Sequence, residues 1–154
     1  MHFAFVFFVD SSVKLLTLVH LNFLNIMQSL HKAKNIEITY DAVTKIMICN
    51  WIGFQNKESI MTTGGIILDL VKKKGITKVL NDNTHVTGPW QEAAEWTAKE
   101  WFPAMINAGL KHFAWIFSSN IFAEMSAKKA MPASDVIKSF GSYREASEWL
   151  MKQN

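Results

Sequence analysis

Cysteine is almost missing from this chain. Cys49 stands alone, which excludes an intrachain disulfide and any zinc site built on paired thiolates. It lies in the apolar run Ile46-Met-Ile-Cys-Asn-Trp51, where an inert buried thiol and a reducing, cytoplasmic compartment are expected. No His-x-x-x-His pair exists, and His85 and His112 are far apart, so neither a metal nor a cofactor is expected. Basic residues exceed acidic ones by only three and are spread out except for Lys72-Lys-Lys74. No basic and aromatic interleaving marks a nucleic-acid partner; the triplet precedes Gly75, where cations complement a helix C-terminus. No apolar run reaches the roughly 18 residues of a membrane span. The nearest, Phe3 to Val9, is followed by Asp10, Lys14, His20, Asn22 and Asn25.

What is present is one domain's worth of chain: 154 residues, 49% hydrophobic and 19% charged, a composition that buries a core rather than staying disordered. Residues 1–26 share no periodicity with the rest. They are read as a leader outside the core domain, with a membrane anchor as the alternative, and residues 27–154 as the domain.

From Asn35 the pattern is regular. Ile36, Ile38 and Tyr40 alternate with polar residues, and after Asp41-Ala-Val-Thr44 a second apolar run reaches Ile52, which predicts an antiparallel hairpin. Asn56 and Ser59 supply capping chemistry for a helix over residues 57–74. Gly64-Gly65 inside it implies close packing or an irregular turn. A short buried strand follows over residues 77–80. Trp90, Ala94, Thr97 and Trp101 then share one helical stripe, with Pro103 dividing that helix and Gly109 closing it. Glu95 and Lys99 are spaced as an i, i+4 pair. Residues 111–117 read as a strand, Ser118-Ser-Asn120 caps a short helix through Lys129, and Val136, Ile137 and Phe140 form a last strand. Ser142 and Glu145 open a final helix at capping-box spacing, with Ala146, Trp149 and Leu150 inward. The predicted order is ββαβαβαβα: an α/β domain with a mixed, mostly parallel sheet flanked by helices.

The candidate site is the handover from the central strand to the long helix. There an apolar run ends in Asp82, a polar hairpin of Asn83, Thr84, His85 and Thr87 follows, and Gly88-Pro89 leads into Trp90. Open α/β sheets place sites at such points. Two chemistries fit: Asp82 with His85 as an acid/base pair beside a Thr84 or Thr87 nucleophile, or a loop whose polar groups cap the next helix. A helix N-terminus there also suits an anion, and Thr84 and Thr87 are candidate phosphoacceptors. Trp51, Phe54, Trp90, Trp96, Trp101, Phe102 and Trp115 could line a pocket or an interface. Trp96 falls on the polar side of the stripe, beside Glu92 and Glu95, which marks it as a candidate partner surface.

The tail Phe140-Gly-Ser-Tyr-Arg-Glu-Ala-Ser-Glu-Trp-Leu150, the strand His112-Phe-Ala-Trp-Ile-Phe-Ser118 and the element order from about Asn35 to Gln153 resemble the SpoIIAA-like proteins, also called the STAS/SEC14 group. The resemblance implies a four- or five-stranded α/β domain that acts by binding. In the regulatory STAS proteins a serine in an aspartate-serine-glycine motif is phosphorylated to release a partner. Thr87-Gly88 is the counterpart of the serine-glycine pair, with Asp82 five residues before Thr87. The expected function is a non-enzymatic binding or regulatory domain for a partner protein or a small apolar or anionic ligand, with a homodimer allowed. A small enzyme using Asp82, His85 and Thr87 is the alternative.

Overall fold

A strand precedes the expected hairpin. The computed structural model describes residues 26–154, so the leader reading of residues 1–26 lies, apart from Ile26, outside the described residues. β1 (Met27–Ala33) pairs antiparallel with β2 (Ile36–Asp41), which changes the order to βββαβαβαβα and gives six strands instead of four or five. Its sequence hides it for a physical reason. As an edge strand it buries only Leu30 and His31 in part, and a register shift between Ser29 and His31 breaks the two-residue period by which a strand is recognised.

The hairpin itself forms as expected. Asp41 Oδ1 accepts from the N–H groups of Val43 at 2.8 Å and Thr44 at 3.2 Å, an Asx turn that reverses the chain into β3 (Ile46–Phe54), antiparallel to β2. Helix α1 (Lys57–Lys74) opens on a reciprocal cap. Asn56 Oδ1 accepts from Ser59 N–H at 2.8 Å, and Ser59 Oγ accepts from Asn56 N–H at 2.9 Å. Gly75, at φ 62°, closes it in the left-handed conformation.

β4 (Lys78–Thr87) is longer than expected. The polar residues 83–87 are not a hairpin loop: they continue the strand. Opposite Asn50 and Ile52 of β3 stand Asp82 and His85, so the two-residue step on β3 faces a three-residue step on β4. The polarity that suggested a loop is therefore that of a bulged strand. Asp82 Oδ1 accepts from both the N–H and the hydroxyl of Thr84 and holds the bulge.

The segment from Gln91 to Asn107, called α2, is helical throughout but not uniform. It runs as a 3₁₀ turn (Gln91–Ala93), an α turn (Ala94–Trp96), a π turn (Thr97–Trp101) and an α segment (Phe102–Asn107). The irregularity stands beside Pro103, which has no N–H to offer Lys99 and whose ring crowds that carbonyl. Phe102 N–H bonds instead to the Thr97 carbonyl, five residues back. β5 (His112–Ile116), α3 (Ile121–Ala130), β6 (Ile137–Phe140) and α4 (Tyr143–Met151) complete the chain. Asn120 Oδ1 caps α3 through Phe122 and Ala123 N–H, and Ser142 Oγ caps α4 through Glu145 N–H at 3.3 Å.

The strands lie in the sheet in chain order, with the β3–β4, β4–β5 and β5–β6 ladders parallel. Alternation divides each strand between two cores. Met47, Cys49, Trp51, Val79, Phe113 and Trp115 pack with α1, α2 and α3 on one face. Ile46, Leu80, Ala114 and Ile116 meet Ala146 and Leu150 of α4 on the other. Trp149 is only half-buried, against Phe140 and edge-on to His112, so the final helix is anchored by Leu150 and Ala146 rather than by its tryptophan. No helix among the described residues is long and apolar enough to cross a membrane.

Candidate functional site: a tryptophan-lined cavity

The helix-covered face holds a partly open cavity of about 30 Å³, room for about two water molecules. Five tryptophans line it: Trp51, Trp90, Trp96, Trp101 and Trp115. They reach it by several local routes.

Trp51 points inward from β3 because it shares the parity of Met47 and Cys49. Its indole N–H donates to Asn81 Oδ1 at 2.8 Å. An indole nitrogen can only donate, so this bond fixes which end of the Asn81 amide is oxygen. Asn81 Nδ2 in turn donates to Asn83 Oδ1 at 2.8 Å. The relay thereby orients Asn83 as well, with its Oδ1 toward Asn81. Asn81 and Asn83 are 4% and 5% exposed, and the chain of bonds is what makes two amides tolerable inside a core.

Trp96 and Trp101 both meet Gly64 of α1. A Cβ on Gly64 would lie 2.9 Å from Trp96 Cη2 and 3.1 Å from Trp101 Nε1, while Trp101 Nε1 donates to the Gly64 carbonyl at 2.7 Å. In a regular α-helix, residues five apart point about 140° away from each other and could not share one neighbour. The π turn between them brings both rings to the same side. This corrects the placement of Trp96 on an outward polar face: it is half-buried, packs on the core and walls the cavity. The pair Glu95 and Lys99 does form at 2.7 Å on the solvent side.

Trp90 is pinned where β4 hands over to α2. Its backbone N–H donates to Ser126 Oγ at 3.0 Å, and nearby Ser118 Oγ donates to the Val86 carbonyl at 2.7 Å. Gly88, at φ 74°, allows the turn, and a side chain there would lie 2.6 Å from the Phe54 ring. Trp90 and Trp115 stack with centroids 6.2 Å apart at 25°. Each is 3% exposed, and neither indole N–H has a hydrogen-bond partner among the described residues.

The residues singled out in the sequence are thus divided by the sheet. Asn83 and Trp90 line the cavity. Thr84, His85 and Thr87 are exposed on β4, and Asp82 is half-buried and committed to Thr84. No hydrogen bond joins His85 to Asp82 or Thr87 among the described residues. Among the described residues, no ionisable side chain lines the cavity. Elsewhere, burial pushes the Cys49 thiol far above its ordinary range, in keeping with an inert core cysteine. Burial, then the carboxylates of Asp82 and Asp41, raises the Tyr143 phenol.

No protein-family model and no curated protein matches this chain. Among solved structures it is similar to an uncharacterized DUF3478-family protein with a SpoIIAA-like fold from Shewanella loihica PV-4. The TM-score is 0.45 and the identity 17%, over 80% of this chain and 91% of the other.

Proposed function

We propose that this protein is a binding domain rather than a catalyst, and that the tryptophan-lined cavity holds a small, flat, largely apolar molecule. The observation that carries the reading is the pair of buried indole N–H groups, on Trp90 and Trp115, without a partner among the described residues, in a cavity that none of their ionisable groups lines. A buried donor without an acceptor costs about 1–3 kcal/mol, and an occupant that accepts from either indole avoids that cost. Flat apolar surface stacked among indoles supplies the rest of the affinity.

At about 30 Å³ the cavity is well below the roughly 150 Å³ that admits benzene. Trp96 is the half-buried wall, so entry proceeds by displacement of its ring. In a STAS-like regulatory domain such a ligand would be the signal and the stretch from Asp82 to Trp90 its readout. That stretch is built for the task, because Asn83 and Trp90 touch the cavity while Thr84, His85 and Thr87 between them face solvent.

The test is an NMR titration of the six tryptophan indole signals with acetophenone and with its hydrocarbon isostere α-methylstyrene. Occupancy shifts Trp90, Trp96 and Trp115 and leaves Trp149, on the far face of the sheet, unmoved. Shifts spread evenly over all six signals, or saturable binding confined to Trp96→Ala, would overturn the reading.

A further inference from the structure

The cavity's polar groups specify more than an apolar occupant. Resting on the reading of the cavity as a ligand site, we infer that its ligand is recognised as a neutral hydrogen-bond acceptor, a planar carbonyl compound whose oxygen takes the indole N–H of Trp90 or of Trp115.

Most donors around the cavity are already engaged. Trp51 N–H is spent on Asn81, Asn81 spends both ends of its amide, and Trp101 N–H is spent on the Gly64 carbonyl. The Thr97 hydroxyl donates to the Ala93 carbonyl at 2.9 Å. What remains uncommitted is of one kind. Trp90 and Trp115 offer N–H groups only, and the Asn83 oxygen already accepts from Asn81. A ligand donor would find no opposite number on the two indoles, whereas an acceptor finds two donors.

The same inventory decides between charge states. A cage of indoles is ordinarily suited to a quaternary ammonium, held over the negative faces of the rings. Here two ring edges present positive N–H ends, which disfavours a cation. An anion is disfavoured for a different reason: among the described residues no lysine, arginine or histidine lines the cavity, and an ionised carboxylate buried without a counter-charge is strongly penalised. The neutral carbonyl satisfies a donor without either cost.

Four probes separate the possibilities when titrated into the full chain: acetophenone, α-methylstyrene, benzoate and tetramethylammonium. Acetophenone is expected to bind about tenfold or more tighter than α-methylstyrene, which has the same shape without the oxygen. It should also move the Trp90 or the Trp115 indole proton downfield, which the hydrocarbon should not. In Trp90→Phe or in Trp115→Phe, each of which keeps a ring and removes one N–H, the preference should shrink severalfold; the proton shifts in the wild-type chain carry the test if either variant does not fold. Equal affinity for acetophenone and α-methylstyrene would leave the cavity as a ligand site and overturn the acceptor assignment. Tighter binding of benzoate or tetramethylammonium would overturn the neutral assignment. Failure of all four to bind would remove the site itself.

Discussion

Gly64 and Gly65 are neighbours in the same helix, and alanine should act on them in opposite directions. Gly65 is exposed, and a Cβ there meets nothing within 4 Å. Gly65→Ala therefore collects the helix-propensity gain, about 1 kcal/mol, with nothing set against it. Gly64→Ala gains the same amount but drives a methyl to 2.9 Å from Trp96 and 3.1 Å from Trp101. Trp96 presents the far tip of a half-buried ring and can give way. Trp101 is 7% exposed and tied to the Gly64 carbonyl at 2.7 Å, so it cannot move without breaking that bond. Overpacking of this kind costs about 1–3 kcal/mol, which leaves Gly64→Ala between neutral and about 2 kcal/mol less stable. Urea unfolding read by tryptophan fluorescence measures both variants, and for a chain of this length each kcal/mol appears as about 2–4 °C in a thermal melt. If Gly64→Ala proved as stabilising as Gly65→Ala, the two indoles would not rest on α1, and the account of the cavity wall would fail with them.

Two further outcomes are expected. Leu150→Ala, which empties a fully buried position under the sheet, should cost about 2–5 kcal/mol, whereas Trp149→Ala, at a half-buried one, should cost less, about 1–2 kcal/mol; the reverse order in urea unfolding would refute the packing of α4. His112 has its imidazole held below its ordinary range by burial and then by Lys78, Lys111 and Lys138, so the unfolded chain takes up the proton first. The stability this group contributes is intact above the unfolded histidine value of about 6.5 and declines as pH falls from there through the folded value, and His112→Gln should flatten that part of the stability profile; a slope unchanged by the substitution would count against it.

The hairpin, both glycine-terminated turns and the capped helices were legible because each rests on local chemistry: Asp41 at a turn, Asn56 with Ser59, Asn120 and Ser142 at helix starts. β1 was not, since an edge strand with a register shift carries little alternation. The stretch from Asp82 to Trp90 was found but misread in form. Asn83 and Thr87 look like loop residues by composition, and only the pairing with β3 reveals a bulged strand with one amide turned inward. Trp96 is the instructive miss. A helical wheel of 3.6 residues per turn puts it among the acids, and the wheel is right for an α-helix. The only sequence sign of the exception is Pro103, whose missing N–H disturbs the ladder one turn earlier.

The π turn has a consequence for how chains of this kind would compare in length. It is a single surplus residue held inside a helix, so deleting one position between Thr97 and Trp101 would restore the regular α ladder and rotate the first turns of α2, up to Trp96, by about 100° relative to the rest of it. The sheet, α1 and the caps would be untouched by such a deletion, yet Trp96 would turn to solvent and the wall over Gly64 would be gone. A one-residue gap at this point in an alignment would therefore separate chains that keep the cavity from chains that keep only the fold.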